Sequence, residues 1–280
     1  MIYILFTVII ICVISAFICH FSIGITQYDI ENEKIDKNLD GIKILQLSDL
    51  HNRVFGRNSE KLIKKIDEVA PNFIVITGDL FDKNSKGITN MLKLVKLIAS
   101  KYSCYYVVGN HELRLGQAKF KYALVELKKL GVVILNNEHK ALSENVKLYG
   151  IGYNLKTNLS QDFKYQYKEE ITKDDIEREV GELDTAKLNI LLAHTPFSFE
   201  AYSETGFDLI FSGHVHGGII RVPFLGGMLS PQRKFFPKYS EGIYTKGNSQ
   251  MIVSRGLGYG GIKFRMFNIP EIVVVTLKNR

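Results

Sequence analysis

Residues 42–51 read Ile-Lys-Ile-Leu-Gln-Leu-Ser-Asp-Leu-His, a short apolar run that ends in a polar group. A run of this length and composition is typical of a buried strand. Comparable runs stand at residues 73–77 and 105–108, and residues 60–69 and 88–99 between them carry apolar side chains at helical spacing. Strands that alternate with helices at this interval predict βαβ units around a buried, parallel sheet.

The second half of the chain contains more strand-like runs than helical ones. A short helix is predicted around residues 196–203, among apolar runs at residues 146–149, 188–193, 209–212, 250–254 and 271–277. More strand and less helix predicts a second sheet packed on the first. The polar segment 156–187 interrupts the pattern as a predicted helical insertion, and Thr172-Lys-Asp-Asp is a plausible start for a helix within it.

Five polar groups directly follow predicted strands. They are Ser48-Asp49-Leu50-His51, Gly78-Asp79-Leu80-Phe81-Asp82, Gly109-Asn110-His111-Glu112, Ala193-His194-Thr195 and Gly213-His214-Val215-His216-Gly217. Asp49, Asp79 and Asn110 are each separated by about thirty residues, the length of one βαβ unit. Parallel strands would bring these groups to the same sheet edge, where sites assemble in α/β folds. We therefore expect the five groups to form one site.

The donors available in these groups indicate a metal centre. Two carboxylates, one amide and four imidazoles are present, a mixture that suits manganese, iron or zinc better than magnesium or calcium. The donors outnumber the ligands of one tetrahedral ion, which favours a pair of metal ions. Such a pair activates water and holds both oxygens of an in-line displacement at phosphorus. The chemistry predicted from the residues is therefore phosphoester hydrolysis.

The ordered series D-x-H, G-D-x-x-D, G-N-H-E, H and G-H-x-H resembles the calcineurin-like metallophosphoesterase superfamily. The likeness covers residues 42–277 and is greatest with the small membrane-associated bacterial branch, with which residues 48–56, 209–237 and 254–277 also agree. The resemblance implies an α/β fold in the form of a four-layer α/β/β/α sandwich, with the metal ions at the ends of the sheets. It also implies a metal-dependent phosphoesterase.

The resemblance assigns a role to each matching position. The first metal ion would be held by Asp49, His51, Asp79 and His216, and the second by Asp79, Asn110, His194 and His214, so that Asp79 bridges the two. His111 would be the general acid or a phosphate-binding group, since imidazole is a natural proton donor near neutral pH. Asp82 is suited to orient the His111 ring. For Glu112 and Arg53, contact with substrate and an exposed surface position both remain open.

Residues 1–28 contain no Asp, Glu, Lys or Arg, so the formal net charge of +7 belongs entirely to the rest of the chain. As a helix, this apolar run would span the hydrocarbon core of a bilayer, about 30 Å thick. We therefore expect a transmembrane anchor at 1–28, a linker at 29–41 and a metallophosphoesterase domain at 42–280. A signal peptide cleaved near Ser22-Ile23-Gly24 and a buried core helix are the alternatives.

Composition and charge narrow the function further. A content of 46% hydrophobic residues and 23% charged residues excludes a disordered chain, and three cysteines cannot form a disulfide framework.

Only Lys34 and Lys37 flank the apolar run, so the orientation of the chain in the membrane is poorly determined. We expect a single-pass protein of the cell membrane with its domain outside the cytoplasm. The segment Arg233-Lys-Phe-Phe-Pro-Lys-Tyr239 is expected to face the bilayer, and an ordinary loop whose aromatic side chains pack on the core is the alternative.

The substrate expected from these features is a lipid-linked or nucleotide-linked phosphoester. A nucleotide or nucleic-acid phosphodiesterase is the alternative within enzymes, and a membrane anchor would restrict its access to such polymers. A metal-binding scaffold without catalysis is the alternative from another class. The retained proton donor at His111 argues against the scaffold, because a binding module has no need of one.

Overall fold

The computed structural model describes residues 1–82, 87–152, 171–222, 224–230 and 235–280. In these residues the strands form two six-stranded sheets and one short hairpin. The first sheet contains, in spatial order, β1 (Gly24–Asn32), β14 (Glu271–Asn279), β2 (Lys43–Leu47), β3 (Phe73–Thr77), β4 (Ser103–Val107) and β5 (Val133–Ile134). β14 is antiparallel to β2, and the other neighbouring pairs in this sheet are parallel.

The second sheet is also mixed, with four parallel strands at its centre. Its spatial order is β12 (Gly242–Lys246), β13 (Ser249–Val253), β9 (Leu209–Ser212), β8 (Leu188–Ala193), β7 (Val146–Ile151) and β6 (Glu138–Ala141). The edge strands β12 and β6 run antiparallel to their neighbours. A separate hairpin pairs β10 (Arg221–Val222) with β11 (Gly226–Gly227).

Three layers of buried side chains hold helices and sheets together. Along β3, Ile74 and Ile76 pack towards the helices while Val75 packs towards the second sheet, as expected where side chains alternate between faces. The outer face of the first sheet carries α2 (Glu60–Val69), α3 (Ile88–Ala99) and α4 (Gln117–Lys129), and that of the second carries α5 (Lys173–Val180) and α6 (Phe199–Thr205). The predicted four-layer α/β/β/α sandwich is confirmed.

The predicted helix start at Thr172 is also present. The Thr172 hydroxyl accepts the Asp175 backbone N–H at 3.3 Å, and the Asp175 carboxylate accepts the Thr172 N–H at 2.8 Å. This reciprocal capping box satisfies N–H groups that a helix leaves unpaired in its first turn. Residues 156–170 of the predicted insertion lie outside the described residues.

Two elements differ from the sequence prediction. Helix α4 was not predicted. Strand β1 occupies residues that are predicted to belong partly to the anchor and partly to the linker. It pairs with β14 along its whole length, with Gly24 opposite Glu271 at one end and Asn32 opposite Asn279 at the other. The partner strand lies about 240 residues further along the chain, so no local pattern reveals the pairing. Gly24–Asn32 therefore belongs to the first sheet.

Helix α1 (Ile2–Phe21) precedes this sheet and is mostly exposed. It is the one helix in the described residues that is long and apolar enough to cross a membrane, and only 11% of its apolar window is buried. The buried residues in it are Ser15 and Cys19. A core helix would bury most of its length, so the core-helix alternative is wrong.

The segment expected to face the bilayer divides into three parts. Arg233 and Lys234 lie outside the described residues. Phe235 and Phe236 are exposed, whereas the Tyr239 ring is buried against Phe199. The expectation that Tyr239 lies at the membrane interface is therefore wrong, because its ring completes the core between the second sheet and α6.

We expect a chain that begins at residue 33 to be less stable than one that begins at residue 22, because only the shorter chain lacks β1. The shorter chain lacks Ile30, which is 2% exposed and belongs to the apolar layer between the sheets. Burial of an isoleucine contributes roughly 1.5–3 kcal/mol, so the free energy of unfolding should fall by at least about 1.5 kcal/mol. Urea unfolding followed by circular dichroism measures the difference. Equal midpoints for the two chains would contradict the place of β1 in the sheet.

Candidate metal centre

The five polar groups lie at the carboxyl ends of β2, β3, β4, β8 and β9, where the two sheets meet. Gln46, on β2, joins the sheets beneath them: its buried amide donates to the Ser212 carbonyl oxygen at 2.9 Å and to the Thr77 hydroxyl at 2.9 Å. The structure therefore brings together all nine of the residues predicted for the site.

Two groups of donor atoms form the centre. In the first, Nε2 of His51 lies 3.0 Å from Nε2 of His216, which is 3.6 Å from Oδ1 of Asp49. All the residues of this group are buried, and their donor atoms lie within 4.8 Å of one another. Donor atoms this close together allow the three side chains to hold one ion.

The second group contains Asp79, His194 and His214, with Asn110 beside them. Nε2 of His194 lies 3.0 Å from Nδ1 of His214 and 3.1 Å from Oδ1 of Asn110. Asp79 connects the two groups, because its Oδ2 lies 3.3 Å from Nε2 of His194 and 3.5 Å from Nε2 of His51. A single carboxylate oxygen is thus positioned between two pairs of imidazoles.

The state of the histidines fits metal binding. Burial lowers the pKa of His51 to about 3 and lowers the pKa values of His214 and His216 well below the usual value, so these rings are neutral, the form that ligates metal. His194 donates from Nδ1 to the Thr77 carbonyl oxygen at 2.8 Å, which directs its Nε2 into the site. Neutral nitrogens whose lone pairs converge around carboxylates suit divalent cations.

His194 is the exception among these rings. Burial, the largest influence, disfavours its charged form, but the charges of Asp79 and Asp49 and the hydrogen bonds raise its pKa to about 10. Burial likewise opposes ionisation of Asp79, yet the neighbouring imidazoliums, above all that of His194, lower the pKa of Asp79 well below its usual value. His194 thus lies where the carboxylates favour positive charge, as they would at a divalent cation site.

The backbone around the centre is held in an uncommon conformation. Five residues of the two groups have positive φ: Asp49 (52°), His51 (47°), Asp79 (51°), His214 (72°) and His216 (54°). Non-glycine residues rarely adopt this region, and clusters of them occur at functional sites. Gly78, at φ +82°, shows the crowding, because a Cβ there would lie 2.6 Å from Nδ1 of His194. The tight strand exits place backbone and ligand atoms almost in contact.

His111 lies at the edge of the first group, with its ring against that of His51. Nδ1 of His111 donates to the Asp82 carboxylate at 3.1 Å, as predicted for an orienting residue. Burial opposes protonation, but the charge of Asp79 and the hydrogen bond to Asp82 together raise the pKa of His111. With Nδ1 engaged, Nε2 is the nitrogen left to face a substrate. The atoms of His51, Asp82 and His111 also lie close enough to share an ion.

Glu112 has neither of the two positions considered for it, since it is fully buried and supports the loops beneath the site. Its carboxylate accepts backbone N–H groups of Asp79 at 3.0 Å, Phe81 at 2.9 Å and Gly109 at 2.8 Å. Burial and the charge of Asp79 raise its pKa to about 7. The sequence pointed to Glu112 because it ends the G-N-H-E motif. That position did not show whether Glu112 holds the loops beneath the site or contacts the substrate.

Arg53 is directed towards α1 rather than towards the metal-binding groups. Its guanidinium donates to the Leu257 carbonyl oxygen at 2.8 Å and to the carbonyl oxygen of His20, in the last turn of α1, at 2.5 Å. The ring of Tyr259 lies 4.3 Å from the guanidinium carbon. The motif that begins at Asp49 thus also holds the N-terminal helix, a role for which the sequence offered no signal.

Comparison with known proteins agrees with this geometry. A family model described as calcineurin-like phosphoesterase matches residues 42–218. An uncharacterised metallophosphoesterase of Campylobacter jejuni is 31% identical, covering 96% of this chain and 68% of its own length. A Bacillus subtilis relative, also named an uncharacterised metallophosphoesterase, is 28% identical over 91% of this chain and 85% of its own.

A relative from zebrafish (Danio rerio) is named a transmembrane protein with a metallophosphoesterase domain. It is 26% identical and covers 91% of this chain and 57% of its own length. The family uses two divalent metal ions, and the two groups of Asp and His donors fit that requirement. The fold, the paired donor groups and the family match agree: this chain belongs to the calcineurin-like phosphoesterases and is a metal-dependent phosphoester hydrolase.

Proposed function

We propose that this chain is a membrane-anchored phosphohydrolase that uses two divalent metal ions to cleave a lipid-linked or nucleotide-linked phosphoester. The observation that carries the proposal is the position of Asp79, whose Oδ2 lies between His51 of one group and His194 of the other. A carboxylate shared by two imidazole groups is the arrangement expected where two ions lie about 3.5–4 Å apart.

The proposed ligands follow from the two groups. Asp49, His51, Asp79 and His216 would hold the first ion, and Asp79, Asn110, His194 and His214 the second. Each group combines carboxylate and imidazole donors, which suits manganese, iron or zinc. When bound, such a pair lowers the pKa of water and stabilises the charge that develops on the phosphoryl oxygens.

The residues of the chain itself would position and protonate the substrate. We assign to His111 the transfer of a proton from Nε2 to the leaving oxygen as its bond to phosphorus breaks. Asp82 would hold Nδ1 of the same ring and so keep Nε2 directed at that oxygen. The raised pKa of His111 supports this role, since the ring is more often protonated at neutral pH. The Asp82 contact is one that a purely metal-binding scaffold would not need.

The membrane anchor is proposed from α1. The helix exposes nearly all of its apolar surface and is about 30 Å long at about 1.5 Å per residue. On the domain side its flanking segment carries only Lys34 and Lys37, set among five acids in residues 29–40, so the charge bias that sets orientation is weak. We propose a single-pass protein of the cell membrane, and for its domain we propose a position outside the cytoplasm. A tethered site favours phosphate groups held near a bilayer over polymeric nucleic acid.

The metal assignment predicts that the purified full-length chain contains close to two ions after metal loading. Asp79→Ala should lose both ions, because Asp79 contributes to each group, whereas Asp49→Ala should lose mainly the first. Elemental analysis measures the content. Asp67→Ala removes an exposed carboxylate that pairs with Lys101 and serves as the control. A single tightly bound ion in the unaltered protein would contradict the two-metal assignment.

The assignment of His111 predicts that His111→Ala keeps its metal ions but hydrolyses alkyl phosphodiesters about 10² to 10⁴ times more slowly. The defect should shrink with a nitrophenolate leaving group, which departs without a proton. Steady-state rates on both substrate types, with metal content measured in parallel, provide the test. His139→Ala, on an exposed edge strand, is the control. Loss of metal together with activity would show that His111 is a ligand.

The position of Glu112 predicts that Glu112→Gln destabilises the protein. Both carboxylate oxygens of Glu112 accept hydrogen bonds, whereas a glutamine amide has only one oxygen. At least one buried N–H therefore loses its acceptor, at a cost of about 1–3 kcal/mol. Denaturant unfolding measures the change, with Glu68→Gln on the exposed face of α2 as control. An unchanged midpoint would mean that Glu112 does not hold the loops of Asp79 and Asn110 together.

A further inference from the structure

The most exposed apolar side chains outside α1 are concentrated in two segments. In the described residues outside α1, six large apolar side chains are at least half exposed: Tyr122, Phe224, Leu225, Phe235, Phe236 and Ile262. All except Tyr122 fall within residues 224–236 or 262–267. The two segments are neighbours, because the Arg221 N–H donates to the Met266 carbonyl oxygen at 3.0 Å. Such a concentration of apolar surface indicates a binding surface.

This surface continues onto α1 through Phe267. Phe267 lines a groove with Phe224 and Leu225. It also lines a second groove with Ile11 and Ile14, in the middle of α1. The loop side chains and the helix therefore form one apolar face. We call the residues Phe224, Leu225, Ile262, Phe264 and Phe267 the loop surface.

The loop backbone is hydrogen-bonded to the helix. The Phe267 N–H donates to Oγ of Ser15 at 2.7 Å, and the Asn268 N–H donates to Sγ of Cys19 at 3.2 Å. Irregular backbone at membrane depth is tolerated only where its polar groups find partners in the protein, and these two bonds meet that condition. Ser15 is six residues before the end of α1, so Phe267 lies roughly 9 Å along the helix axis from that end.

The end of α1 is fixed to a loop beside the metal centre. The Tyr259 hydroxyl lies 2.6 Å from Nδ1 of His20, and Arg53 binds the carbonyl oxygens of Cys19 and His20. The next residue after Tyr259 is Gly260, where a Cβ would lie 3.3 Å from Nε2 of His216. Only one loop therefore separates the last turn of α1 from a donor atom of the first group.

The exposed charge beside this face is a base. Lys263 is exposed between Ile262 and Phe264, and residues 256–270 contain no acid. Two other described bases nearby are engaged within the protein, since Arg221 pairs with Glu241 and Arg265 is 3% exposed. Basic residues beside an apolar surface are attracted to anionic headgroups by about 1 kcal/mol each near the surface.

We propose that the loop surface is inserted into the outer part of the same bilayer that α1 enters, and that this docking holds the opening of the metal centre at the lipid–water boundary. The inference rests on the proposed membrane anchoring. Its partner is a lipid bilayer rather than a second copy of the chain, because the loop surface is continuous with a helix that is itself apolar on every side. Insertion to the depth of Phe267 is typical of interfacial segments, which reach about 5–10 Å.

The absence of tryptophan from the chain allows a direct test. Phe224→Trp and, separately, Ile262→Trp in the full-length protein place a single tryptophan on the loop surface. In anionic vesicles, lipids brominated near the headgroup end of the acyl chain should quench both tryptophans several-fold more strongly than lipids brominated near the methyl end. Tyr122→Trp on α4, a position as exposed as Ile262 and at the opposite edge of the first sheet, is the control and should not be quenched.

The outcomes separate this inference from the proposed function. If the chain floats with the vesicles but both loop tryptophans behave like the Tyr122→Trp control, the anchor stands and the insertion is wrong. If the loop tryptophans are blue-shifted yet unquenched and the chain cross-links as a dimer, a second copy covers the loop surface and the proposal is overturned. Failure to float refutes the anchoring and the insertion together. Metal content and the His111→Ala rates test the hydrolase independently of all three results.

Discussion

The position of the Asp79 carboxylate is the constraint on which the arrangement of the centre depends. Its Oδ2 lies within 3.5 Å of an imidazole nitrogen in each group, while its Oδ1 accepts the backbone N–H of His111 at 2.8 Å. The Asp79 backbone has positive φ, and Glu112 accepts its N–H. One residue therefore joins both donor groups and the loop that carries the proposed general acid. The strained backbone is retained because surrounding hydrogen bonds determine it several times over.

The packing of the two sheets brings the carboxyl ends of five strands to one site. Asp49, Asp79 and Asn110 come from the first sheet, and His194, His214 and His216 from the second. Gln46 links the sheets directly below, and the His194 ring from the second sheet donates to the Thr77 carbonyl oxygen of the first. Relative sliding of the sheets would separate the imidazole of His194 from Asp79. The apolar layer between the sheets thus controls ligand geometry as well as stability.

The C-terminal half of helix α1 packs against the domain that carries the metal-binding groups. Its buried residues, Ser15 and Cys19, are the ones that accept N–H groups from the loop of residues 267–268, and Arg53 occupies its terminal carbonyl oxygens. Unpaired carbonyl oxygens at a helix end favour a cation, so the guanidinium satisfies both the charge and the hydrogen bonds. The proposed anchor would keep these contacts, whereas cleavage of a signal peptide would remove them.

The linear pattern was sufficient for two packed sheets and for the polar groups at the strand ends, because side-chain periodicity and sequence position are local properties, whereas the four-layer sandwich was implied by the family resemblance. Strands such as Phe73–Thr77 and Leu188–Ala193 were readable in this way, and so were Asp79 and His194 immediately beyond them. The pairing of β1 with β14, the burial of Glu112 and the contact of Arg53 with α1 were not readable. Each depends on residues distant in sequence, whose proximity is decided by packing of complete layers and not by any local preference.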